Sequence, residues 1–137
     1  MNGGETDFLC GEGVQELLKL TQRQFVGWDD RLRRVSGQAT AAGDAMDLWH
    51  ILSYLALQPE LKVEKKLAFE KIKIASLKPE TIRKYIAKAQ SLGFVATIDS
   101  RGTRHVQLTP SGVSVVSETM RQWIEDFGQI QRRHFSK

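Results

Sequence analysis

The sequence predicts a mainly α fold carrying one small β-hairpin (α+β), on three observations. The stretch from Ser76 to Thr109, SLKPETIRKYIAKAQSLGFVATIDSRGTRHVQLT, reads as a helix, a glycine stop and a short hairpin in that order. Apolar residues recur at helical spacing ahead of it, over 12–35 and again over 45–57. A further apolar stripe runs through the segment that follows it. Helix, stop and hairpin make a winged helix-turn-helix, and a long amphipathic helix flanks it on either side.

In chain order, residues 1–11 are Gly-containing and read as a loose N-terminal arm. From Glu12 to Val35 the residues Val14, Leu17, Leu18, Thr21, Phe25, Trp28, Leu32 and Val35 share a stripe. A long amphipathic helix has little to pack on ahead of so small a domain, and a second copy of the chain supplies a surface. Ser36 to Gly43 reads as a connector, so 12–43 forms an N-terminal dimerisation unit. Asp44 suits the cap of a helix over 45–57, and Gln58-Pro59-Glu60 ends it. Residues 61–75 read as the first helix of the helix-turn-helix, with lysines in every turn.

Pro79 opens the next helix, where a missing N–H is not needed. Ile82, Tyr85, Ile86, Ala89 and Leu92 define its buried face, and Gly93 stops it. Val95, Thr97 and Ile98 suit a strand, 100–103 a turn, and Val106 and Leu108 a returning strand, which closes a unit over 44–109. Thr109 and Pro110 start the last helix, which fills 110–137. Val113, Val116, Met120, Trp123, Phe127, Ile130 and His134 follow at spacings 3,4,3,4,3,4, a heptad seam. Together with the first long helix it predicts a dimerisation surface of Leu17, Leu18, Phe25, Trp28, Met120, Trp123, Phe127 and Ile130.

Charge points to the partner. Residues 1–50 hold 5 Lys/Arg against 8 Asp/Glu, net −3, whereas 61–104 hold 11 against 4, net +7. Positive charge concentrated on the helix–hairpin block is the footprint of a polyanion partner. On the helix, Glu80, Lys84, Ala87 and Ser91 point away from Ile82 and Ala89, with Thr81 and Lys88 on one flank and Arg83 on the other. That face is narrow and free of bulky apolar groups, so it fits a major groove of double-stranded DNA. Ser76, Lys78, Thr81, Arg83, Lys84 and Lys88, with Arg101, Thr103 and Arg104 of the hairpin, are the candidate contacts to phosphates and base edges. Glu80 is discordant unless it pairs with Lys84 at i+4. A solvated helix face is the plainer alternative for the helix alone; the arginines bracketing the turn shift the balance.

These residues resemble the multiple-antibiotic-resistance-regulator (MarR) family of winged-helix repressors. The matching stretches are T-I-R-x-x-I (Thr81 to Ile86), L-G-F-V (Leu92 to Val95), D-x-R-x-x-R (Asp99, Arg101, Arg104) and L-T-P-S-G (Leu108 to Gly112). The resemblance covers 44–135 well and the first long helix by position only. Between Asp99 and Leu108 the chain is shorter than the family norm, so the resemblance stops short of a full-length wing. It implies a homodimer built through both terminal helices, and a DNA-binding transcription regulator that represses; the cytoplasm is the default location expected from a sequence with no membrane span or signal-peptide pattern. Hydroperoxide-sensing members carry a reactive cysteine near the N-terminus, which makes Cys10 a redox candidate. Asp7 and Glu12 beside it oppose a thiolate, and an inert thiol is the simpler reading.

Other chemistry is poorly supported. One cysteine and three scattered histidines form no metal-ligand pattern, and Ser111 lies in no nucleophile elbow, so neither a metal, a cofactor nor an enzyme is expected. No apolar run is of membrane-spanning length and no signal-peptide pattern opens the chain. Trp28, Trp49 and Trp123 are core residues first; a cavity for a small-molecule effector is the minority reading. Two further classes stay open: a winged-helix module that binds an acidic protein, and a plasmid- or phage-type replication or partition protein.

Overall fold

The computed structural model describes residues 3–38, 44–66 and 78–136. Among the described residues, five α-helices and three strands follow one another: α1 (Gly3–Cys10), α2 (Glu12–Ser36), α3 (Asp44–Ala56), β1 (Lys62–Glu64), α4 (Pro79–Ser91), β2 (Val95–Ser100), β3 (Thr103–Leu108) and α5 (Pro110–His134), with a 3-10 turn over Pro59–Leu61. The strands form one antiparallel sheet in the order β1-β3-β2, with β3 central. This is the predicted mainly α architecture with its hairpin.

The core gathers one face of α3, α4 and the sheet under the ends of α2 and α5. Leu48, Ile51, Leu52 and Leu55 of α3 meet Ile82, Ile86 and Ala89 of α4, with Phe94 and Val106 beneath. Burying a side chain such as Phe94 stabilises the fold by about 1.5–3 kcal/mol.

Helix α4 ends in a Schellman motif. Gly93 is left-handed (φ 85°), its N–H donates to the Gln90 carbonyl, and the Phe94 N–H donates to Ala89. Thr109 caps α5 by accepting from the Gly112 N–H at 3.1 Å, and its own hydroxyl donates to the Gly93 carbonyl. One threonine thus locks the start of the last helix to the stop of the fourth.

Helices α2 and α5 run antiparallel. Glu16, early in α2, pairs with Arg133 and His134 late in α5, and Arg31, late in α2, donates to Thr119 earlier in α5. Leu20 and Ile130 are buried between them.

Several sequence expectations change. The arm is not loose throughout: Gly3–Cys10 is helical, with exposed side chains over 4–10. Residues 62–64 are a strand rather than helix, because they pair with β3 (Val63 against Val106) after a sharp reversal at Glu60 and Leu61, both left-handed. Lys65 and Lys66 turn helical, and the rest of the helix expected over 61–75, together with Ser76, lies outside the described residues, as does most of the 36–43 connector. Val113, placed on the inner stripe, is 37% exposed, while Val115 is fully buried. Trp28 and Ile130, expected to face a partner, are buried within the protomer. Trp28 donates its indole N–H to the Ala45 carbonyl at 2.7 Å.

Candidate nucleic-acid interface

Helix α4 starts where the sequence puts it. Lys78 is extended, Pro79 takes the first helical position, and the macrodipole's positive end lies beside Glu80. Lys78, Glu80, Arg83, Lys84, Ala87 and Ser91 are exposed, Thr81 and Lys88 half-buried. The ridge predicted from helical geometry therefore stands clear of the fold. The Glu80–Lys84 pair considered above is not among the ion pairs of the described residues. The Lys84 ammonium instead lies 5.5 Å from the centroid of the Tyr85 ring.

The hairpin closes on two residues. Ser100 pairs with Thr103, and both central residues are left-handed, Arg101 at φ 55° and Gly102 at φ 78°. Positive φ at both positions is the type I′ pattern, which matches the twist of the flanking strands. Arg101, Gly102 and Arg104 are exposed and Thr103 is half-buried. None of Lys78, Lys84, Lys88, Arg101 or Arg104 takes part in an ion pair among the described residues.

The sheet brings further cations to the wing. Lys65 and Lys66 join Thr103 and Arg104 around a hollow of about 300 Å³ that Glu64 also lines. Lys62 turns inward instead, with Nζ 2.8 Å from the Glu60 carboxylate and 3.0 Å from the Ser100 hydroxyl, so it braces the hairpin. That ion pair holds the Glu60 carboxyl below its ordinary range. Thr97 ties β2 back to α4 by donating to the Gln90 side-chain carbonyl at 3.0 Å. Ridge and hairpin are thereby held in one orientation.

Neither a protein family model nor a curated protein sequence matches the chain. Solved structures do. A MarR family transcriptional regulator from Streptomyces coelicolor, solved in complex with DNA, superposes with a TM-score of 0.54 at 16% identity, over 99% of this chain and 81% of that one. A second MarR family regulator from the same organism superposes with a TM-score of 0.51 at 17% identity, over 84% of this chain and 75% of that one. The fold is that of the MarR regulators. Within it, the exposed ridge is on the helix that precedes the hairpin, and α2 and α5 are the two long helices on either side of that block.

The other predicted residues divide. Leu18, Phe25 and Met120 are exposed, Leu17 half-buried, and Trp123 and Phe127 stack on each other 5.0 Å apart. Cys10 ends α1 and is exposed. The three tryptophans do converge: Trp28, Trp49 and Trp123 line a largely apolar cleft of about 480 Å³ between α2, α3 and α5, with Phe25, Met46 and His50. Trp28 and Trp49 meet edge to face at 5.0 Å. Among the described residues, no helix is long and apolar enough to cross a membrane.

Proposed function

We propose that this chain is a DNA-binding transcription regulator of the MarR type, a cytoplasmic homodimer acting as a repressor. The α4 ridge carries the reading: exposed Arg83 and Lys84, flanked by half-buried Thr81 and Lys88, are backed by an arginine-bearing hairpin. Inserted in the major groove, the ridge would place Lys84 and Arg83 against phosphates and guanine edges. Arg101 and Arg104 would follow the backbone or the minor groove. The fold shared with a regulator solved on DNA supports this reading. The tryptophan-lined cleft has the size and apolar lining of a site for a small aromatic effector, and that effector belongs to the proposal.

The test is salt dependence on a duplex selected from a random library. Lys84→Ala and Arg104→Ala should each weaken binding. If each removes one phosphate contact, the log–log salt slope falls by about one. Unchanged affinity and slope in both variants would refute the placement of these residues on DNA.

A further inference from the structure

Helix α4 carries a single acidic side chain, Glu80, in its first turn. It is exposed and shares an outward row with Lys84, Ala87 and Ser91, which are exposed too. One turn separates it from Lys84, about 5–6 Å between Cβ atoms, yet the two form no ion pair among the described residues. The Lys84 ammonium instead lies 5.5 Å from the centroid of the Tyr85 ring. The positive end of the helix favours a carboxylate in the first turn, and that alone would give Glu80 a stabilising role with no part in recognition. Its row points further. Small Ala87 and Ser91 let the helix sink into a groove, and the N-terminal residues of a helix so placed are the ones that meet base edges. A carboxylate there opposes the phosphates that the neighbouring cations attract.

We propose that Glu80 is a specificity-determining residue that selects cytosine at one position of the duplex, a step that rests on the function proposed above. An ionised carboxylate can only accept hydrogen bonds, and the donors in the major groove are the amino groups of cytosine and adenine. The adenine amino group lies beside that base's own N7 acceptor, which repels a carboxylate, whereas cytosine carries no acceptor on its own groove edge. Guanine O6 and thymine O4 are acceptors and repel it outright. Against any pair but C·G the carboxylate loses water, gains no partner and stays close to phosphates, which is costly. Glu80 therefore acts in two ways: it attracts one base and penalises the rest. Lys84, one turn further along the row, supplies a donor, so the row presents an acceptor followed by a donor.

The test selects duplexes from a random library with the full chain as wild type, Glu80→Ala and Glu80→Gln, all at one salt concentration. Glu80→Ala should lose the wild-type preference at one C·G pair per bound chain and keep the preferences elsewhere, which also shows that the variant is folded. Replacing that pair by T·A should weaken wild type at least about fivefold and leave Glu80→Ala unaffected. Glu80→Ala should also bind random duplex more tightly than wild type, because a charge that repels phosphate is gone. Glu80→Gln should enrich A·T at the same position, since a carboxamide both donates to adenine N7 and accepts from N6. A Glu80→Ala that keeps every wild-type preference, or loses one at a pair other than C·G, overturns the assignment. So does a Glu80→Ala that melts at lower temperature and selects the wild-type sequence, the result expected of a residue that serves the helix dipole only. A Glu80→Gln that still enriches cytosine at that position overturns it as well. Wild type that binds duplex with no preference for C·G anywhere removes Glu80 from recognition and leaves the DNA reading standing. Wild type that binds no duplex even at low salt removes both.

Discussion

Gly112 lies so close under Phe94 that a Cβ at that position would stand 2.2 Å from the Phe94 carbonyl oxygen. The same carbonyl accepts from the Thr109 N–H at 3.0 Å, so it is fixed by the cap that starts α5. The obstacle is backbone and cannot rotate away. Gly112→Ala should cost about 2–3 kcal/mol, read as a lower midpoint in urea at unchanged slope. An unaltered midpoint would mean that the junction between hairpin and last helix yields easily.

Arg101 is left-handed at the tip of the hairpin, where asparagine or glycine is the ordinary occupant. An L side chain with a Cβ costs about 1–2 kcal/mol there. Arg101→Asn should therefore stabilise the chain by about 0.5–1 kcal/mol while weakening duplex binding. Opposite movement of the two quantities would identify a residue kept for its charge against the preference of its backbone. A gain in stability with no loss of affinity would remove Arg101 from the proposed interface.

Burial first, then the neighbouring Asp47 and Asp44 carboxylates, push the Tyr85 hydroxyl up to about 12. In the unfolded chain it titrates near 10. The fold favours the neutral hydroxyl, so the contribution is complete below about pH 10 and is lost as pH rises towards 12. Stability of the wild type should fall more steeply with pH across that window than stability of Tyr85→Phe. Parallel curves would show the hydroxyl to be no better held in the folded chain than in the unfolded one.

The two chain ends meet at Gly13. A Cβ there would stand 2.7 Å from His134 Cβ and 2.8 Å from the Phe135 ring. Beside it, Glu16 bridges Arg133 and His134 at 3.0 Å each, in a partly exposed setting where such pairs contribute about 0–1 kcal/mol. Gly13→Ala should thus destabilise more than Glu16→Ala, because it pries α2 from α5 rather than loosening a solvated pair. The reverse order would make the ion pair, and not the close backbone approach, what holds the ends.

Much of α4 was legible because its signals are local. Period 3.6 fixed which face is buried, Pro79 fixed the start, and Gly93 the stop. The hairpin was equally readable from Arg101-Gly102 between two β-prone runs. Strand β1 was not, because three residues reading Lys-Val-Glu become a strand only through pairing with β3 and through the left-handed pair at Glu60 and Leu61. The inner face of α5 was misread for a related reason. A strict heptad runs from Val113 to Val116 and passes over Val115, whereas the straight helix turns Val115 and Val116 together onto the core. Trp28 looked like part of a stripe awaiting a partner, since its bond to the Ala45 carbonyl is a tertiary fact with no local mark. The convergence of the three tryptophans was visible only as a minority reading, because aromatic residues at helical spacing look the same whether they fill a core or line a cleft.

That difference in burial separates the proposed dimer from an ordinary monomer. Leu18 and Phe25 are 45% and 51% exposed on α2, whereas Trp28 and Ile130 are 3% exposed. In a protein that works as a single chain, Leu18→Asp and Phe25→Asp should change stability by less than about 0.5 kcal/mol and leave its mass in solution unchanged. In a homodimer joined through the terminal helices, each should halve the mass seen by light scattering and weaken duplex binding, because two half-sites are no longer engaged together. Trp28→Ala and Ile130→Ala should instead unfold the protomer by removing about 2–5 kcal/mol of core packing, whatever the oligomeric state. Wild type sedimenting as a monomer at micromolar concentration, with Phe25→Asp indistinguishable from it, would take the dimer out of the proposed function and leave the exposed apolar residues of α2 unexplained.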